Sequence, residues 1–153
     1  MRLAGSAAGV LAVARARGEC DNTVLTEVFD EAEPVGIGFL TGTWRGAAFE
    51  NASEAALRMA DLNWYGKRFT DAETVEPLLC RDAAGTVVAY TALGQARLRE
   101  VSFRGKVSAA MVYDDLPVID HFRKLDENTV LGLMDPKGRP VDFFFHLTRV
   151  TYA

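Results

Sequence analysis

Cysteine and histidine are both scarce in this chain of 153 residues, with two of each. Cys20 and Cys80 lie far apart and show no Cys-x-x-Cys or Cys/His ligand spacing, which argues against a zinc site and against a disulfide scaffold, and fits a reduced cytoplasmic setting. His121 and His146, without a third ligand, make a weak metal pair, so no metal is expected. Basic charge is also short: the formal net charge is -4 and the pI about 5.2, with none of the basic striping that nucleic acid requires. No apolar run approaches the roughly 18 residues that cross a bilayer, so no membrane partner is expected. A Gly-x-Ser-x-Gly elbow, a phosphate loop and a dinucleotide fingerprint are all missing, since Gly36-Ile-Gly38 is too short and opens no βαβ helix. Serine hydrolysis, phosphoryl transfer and hydride transfer are thereby disfavoured, and no cofactor is expected.

What remains is the composition of one ordinary globular domain, 49% hydrophobic and 25% charged. Residues 1–20 carry a basic residue, Arg2, at the start and continue through an Ala-rich middle with small residues around Ala12-Val13-Ala14. That middle is short of Leu, Ile and Phe, so a mobile or helical extension is favoured over a secretory leader. The domain proper runs from 21 to 153. Asp21 or Asn22 can cap a short helix whose Leu25, Val28, Phe29 and Ala32 form one apolar stripe, stopped by Pro34. Thr43 to Glu50 reads as a strand beside a sharp bend, with glycines at 36, 38, 42 and 46. Ser53 caps a second short helix, SEAALRMADL, which must dock its Leu57, Met59 and Ala60 region and so suggests a lid over a barrel mouth.

From Val75 onward apolar runs alternate with turn chemistry such as Asp82-Ala83-Ala84-Gly85, Asp126-Glu127-Asn128 and Pro136-Lys137-Gly138. The expectation is a mainly β fold: a single antiparallel barrel of about 8 to 10 strands, with one or two short helices capping one end.

Two motifs, Gly42-Thr-Trp-Arg-Gly46 and the run MVYDDLPVIDHFRKLDENTVLGLMD followed by Lys137-Gly138 and Phe143-Phe-Phe, resemble those of the bacterial GXWXG/DUF4334 family. The resemblance covers roughly Leu25 to Val150. It implies a GXWXG half over about 21–82 and a DUF4334-like half over about 86–153, and the short Gly-x-Trp is similar to the opening strand of lipocalin-like barrels. It carries no activity with it.

Strand alternation sorts the charged residues into faces. In the strand around Asp120, one face carries Val118, Asp120, Phe122 and Lys124, and the other Ile119, His121, Arg123 and Leu125. Val107, Ala109, Met111 and Tyr113 make an inward face, and the last strand sets Phe143, Phe145 and Leu147 against Asp142, Phe144 and His146. A carboxylate in an apolar wall costs several kcal/mol unless paired, so Asp120 requires a partner or a proton. A structural ion pair to Arg123 or Arg104 is the plainer outcome; a carboxylate of raised proton affinity acting as general acid or base is the functional one. Tyr65 and Lys67 are expected on one face. The candidate catalytic residues are thus Asp120, Tyr113 and Lys67, and the candidate substrate contacts are Trp44, Trp64, Tyr65, Met111, Phe122, His121 and Phe145. Together they suggest a cavity for a small, largely apolar molecule, acted on by a cofactor-free isomerase, cyclase or lyase. The alternatives are a carrier or sensor with the same cavity, or a module that pairs a strand edge with a partner or with a second copy as a homodimer.

Overall fold

The computed structural model describes residues 12, 21–49 and 53–151; the N-terminal extension, residue 12 apart, lies outside them. Helix α1 (Asn22–Glu31) starts at Asp21, whose carboxylate accepts a hydrogen bond from the Thr23 amide. A 3-10 turn (Ile37–Leu40) leads into β1 (Gly42–Ala48), and helix α2 (Glu54–Asp61) is capped by Ser53, which accepts from the Ala56 amide. The remaining strands are β2 (Trp64–Phe69), β3 (Val75–Arg81), β4 (Val87–Ala89), β5 (Ala96–Phe103), β6 (Lys106–Tyr113), β7 (Val118–Asp126), β8 (Thr129–Pro136) and β9 (Phe143–Arg149).

The strands join in the order β2-β1-β9-β8-β7-β6-β5-β3-β4, and β2 also pairs with β3. That last pairing closes eight strands into an antiparallel barrel and leaves β4 as a short extra strand on β3. Closure satisfies edges that an open sheet of this width would expose. The turn between β5 and β6 is two residues long, Arg104 and Gly105, both at positive φ, which gives the backbone twist that a tight hairpin needs.

Two apolar clusters divide the core. The interior holds Leu40, Trp44, Phe69, Leu98, Met111, Phe122, Phe143, Phe145 and Leu147, among others. The outer wall of β8 and β9 supplies Leu131, Leu133 and Phe144, on which the α1 stripe of Leu25, Val28 and Phe29 packs. Helix α1 therefore covers the wall. Helix α2, lying between the end of β1 and the start of β2, sits at a mouth and turns Ala55, Ala56 and Met59 toward the interior. The expected docking of Leu57 does not occur, because it points the other way and is 62% exposed. Val107 likewise leaves the inward face of β6, at 56% exposed.

The opposite mouth is closed by the start of β1. Trp44 is fully buried and donates from Nε1 to the Leu40 carbonyl at 2.7 Å. The Arg149 guanidinium stacks 4.4 Å over its ring and donates to the carbonyls of Phe39, Thr41 and Glu127. One cation thus ties the 3-10 turn, β9 and the β7–β8 turn together.

Candidate functional site: a charged pair across the barrel

The GxWxG pattern of β1 makes room for rings. Gly42 has φ +123, a conformation that only glycine adopts readily. A Cβ at Gly46 would overlap the Trp64 ring, one at Gly132 would overlap Phe145, and one at Gly66 would run into the backbone carbonyl of Trp44. The space these glycines leave is filled by an edge-to-face chain: Trp64 on Phe145 (5.8 Å between centroids), Phe145 on Phe122 (6.1 Å) and Phe122 on Phe69 (6.0 Å).

Into this hydrocarbon come two charges. Asp120 is the third residue of β7, opposite Met111 on one side and Met134 on the other, and points inward with Phe122. Lys67, on β2 opposite Trp44, also points inward. Its Nζ lies 3.3 Å from Asp120 Oδ2, both side chains are 3% exposed, and it donates to the Pro77 carbonyl at 3.1 Å. The rings of Phe145, Trp64 and Tyr113 surround the ammonium at 5.2, 5.4 and 5.9 Å. In the closed order, β1, β9 and β8 separate β2 from β7 on one side, and β3, β5 and β6 on the other. The pair therefore braces opposite walls of the barrel.

Asp120 Oδ1 is buried and has no hydrogen-bond partner among the described residues. Burial pushes the Asp120 carboxyl up from the ordinary range, against the pull of Lys67, and pushes the Lys67 ammonium down, against the pull of Asp120. The gap in proton affinity between the two groups narrows from both ends, a condition that favours proton exchange. Burial, reinforced by the Asp120 charge, raises the Tyr113 phenol well above its usual value, so the phenol keeps its proton.

Of the residues singled out by sequence, Asp120, Lys67, Tyr113, Trp44, Trp64, Met111, Phe122 and Phe145 all belong to the interior. Two do not. His121 alternates to the outer face of β7, stacks on Phe103 at 3.7 Å and bonds Asp135 at 3.0 Å. Tyr65 is parted from Lys67 by irregular pairing on both sides of Gly66, and lies 5.0 Å under the exposed guanidinium of Arg81. The expected neutralisers of Asp120 are also displaced: Arg123 is on the outer face, 4.4 Å over Phe29 and bonded to the Phe103 and Phe122 carbonyls, while Arg104 forks onto Asp30 at 2.6 and 2.8 Å. Met134 and Phe143 also line the α2 side of the interior and are not among the sequence candidates, although strand alternation groups Phe143 with Phe145.

A groove of about 200 Å³ lies elsewhere, on the outer wall between α1 and β9, lined by Thr26, Phe29, Phe103, Arg104, Leu133, Val141 and Phe144. Its one charged group, Arg104, is engaged by Asp30. Among the described residues no three His, Cys, Asp or Glu side chains gather as a metal site, and no helix is long and apolar enough to cross a membrane.

These features define a class: small closed antiparallel barrels with a charged pair inside an aromatic interior. Family models match in two parts, that of the GXWXG protein over residues 27–85 and that of DUF4334, a domain of unknown function, over residues 94–149. A crystal structure of a protein from Thermomonospora curvata is similar at 49% identity with a TM-score of 0.91, covering 95% of this chain and 99% of that one. No curated protein matches the chain. The chain belongs to the GXWXG/DUF4334 family.

Proposed function

We propose that the barrel binds a small, largely apolar molecule at the α2 end of its interior and moves a proton on it, in a cofactor-independent isomerisation, cyclisation or elimination. The observation that carries this reading is Asp120 Oδ1, an acceptor taken out of water into a ring-lined interior and left without a donor among the described residues. Such an atom costs about 1–3 kcal/mol relative to a satisfied one, more when charged. A structural pair alone would be better served by apolar residues of similar volume. In the proposed reaction Asp120 takes a proton from the bound molecule and returns it at another position. The electron pair of the broken bond stays on the substrate; in an elimination it expels a leaving group that departs with its own bonding pair and takes up the proton. Lys67 offsets the charge that develops. Tyr113 supplies a hydroxyl donor, and the rings hold one conformer.

The same site without turnover would be a carrier. Edge pairing has less to recommend it, because barrel closure leaves β4, three residues long, as the extra strand. Native mass spectrometry of protein purified from its source, wild type beside Asp120→Asn, tests the reading. A co-purifying apolar molecule that the wild type converts and the variant retains unconverted is the expected result. Equal conversion by both would remove Asp120 as the acid or base, and an interior that retains nothing would remove the site.

A further inference from the structure

The hydrogen-bonding capacities of the pair restrict what the ligand can be, on the reading that the barrel interior is a binding site. Asp120 Oδ1 can only accept from a ligand while its carboxylate is ionised, and no donor among the described residues reaches it. Lys67 can only donate. Of its three N–H groups one serves Pro77 and one Asp120 Oδ2, leaving the third among the faces of Trp64, Tyr113 and Phe145. An acceptor and a donor with unused capacity thus belong to the two partners of one ion pair, whose closest atoms, Lys67 Nζ and Asp120 Oδ2, are 3.3 Å apart.

A ketone or ether can only accept and would leave Oδ1 unsatisfied. An ammonium can only donate and would face Lys67 with like charge. A hydroxyl does both through one oxygen. The surroundings on the α2 side, Trp64, Tyr113, Met134 and Phe143 with Ala55, Ala56 and Met59 of the helix, offer hydrocarbon and ring faces to the rest of the molecule. Helix α2, which turns Ala55, Ala56 and Met59 to this side, has no fully buried residue and is the least buried element packed on the interior.

We infer that the ligand carries a hydroxyl group, as an alcohol, phenol or enol on an apolar skeleton, seated between Asp120 Oδ1, to which it donates, and Lys67 Nζ, from which it accepts. The hydroxyl proton is then the one Asp120 is placed to take: the O–H bond breaks, the Oδ1–H bond forms, and the electron pair remains on the ligand oxygen beside the ammonium.

The test titrates the full-length protein with 2-naphthol, naphthalene and 2-methoxynaphthalene, which share a ring system and differ in whether they can donate. The readout is the NMR resonance of the Trp64 indole N–H, which donates to the Gly66 carbonyl at 3.0 Å beside the pair. The expected result is 2-naphthol binding at least about tenfold more tightly than either comparator, since a site with buried polar groups rejects analogues that leave them unpaired. That preference should vanish in Lys67→Met/Asp120→Val, a double variant with no lone buried charge to prevent folding. Equal affinity for 2-naphthol and naphthalene would overturn the hydroxyl assignment and leave the binding site standing. No movement of the Trp64 resonance with any of the three would overturn the binding reading and this inference with it.

Discussion

Replacing Lys67 by Met and Asp120 by Val, singly and together, measures what the charged brace does for the barrel. The two groups lie 3.3 Å apart, both 3% exposed, with rings on three sides of the ammonium. Met keeps the length of the lysine stem, and Val suits a strand position while adding little volume. Each single variant strands one charge in hydrocarbon, so each should lose about 3–5 kcal/mol. Against a total stability of about 5–15 kcal/mol, that is a large fraction. The double variant removes both charges and the orphan Oδ1 together, and should unfold within about 1 kcal/mol of wild type or up to about 4 kcal/mol above it. Urea unfolding followed by circular dichroism reads all four proteins, provided the slope with denaturant stays constant. Single costs below about 1 kcal/mol that simply add in the double variant would refute the argument, because they would mean the two charges are in effect solvated. A double variant that is stable yet indifferent to the hydroxyl of 2-naphthol would show a pair kept for its chemistry rather than for the fold.

Gly66→Ala should cost about 3 kcal/mol or more, because its Cβ would run into the Trp44 backbone where β1 and β2 pair, and backbone cannot swing aside as a side chain can; a melting temperature within a few degrees of wild type would contradict that close approach. His121 has its proton affinity lowered, first by burial and against the pull of Asp135, so between its folded value and the usual 6.5 the unfolded chain binds the proton and the folded chain does not. Its contribution is fully present above pH 6.5 and is lost as pH falls toward the folded value, so the stability gap between wild type and His121→Gln should shrink on going from pH 7.5 to pH 5.5. The raised carboxyl of Asp120 works in the opposite sense; its coupling to the His121 charge is the smallest of the influences on it, after burial and Lys67, so most of its effect is common to both proteins and cancels in the difference. A gap that widens on acidification would reverse the assignment.

Much of this barrel follows from local signals. The α1 stripe of Leu25, Val28 and Phe29, the caps at Asp21 and Ser53, and the hairpin turns are short-range effects of periodicity and turn chemistry. The division of β7 into an Asp120 face and a His121 face was equally legible, since strand side chains alternate whatever the rest of the chain does. Alternation does not say which face is inside, and it fails where pairing slips: the irregular register around Gly66 separated Tyr65 from Lys67, which share parity and were expected together. The partner of Asp120 was further still from local reasoning. Arg123 is near in sequence but on the other face, whereas Lys67 comes from the strand diametrically across the closed sheet.

The amino-acid sequence by itself therefore determined the elements, the two faces of each strand and the presence of a carboxylate that would require compensation. Only closure of the barrel decided that Lys67 supplies it, because the β2–β3 pairing brings opposite walls within a side chain's reach. Closure also left Oδ1 of that carboxylate in an aromatic interior without a donor among the described residues, and on that single atom the functional reading depends.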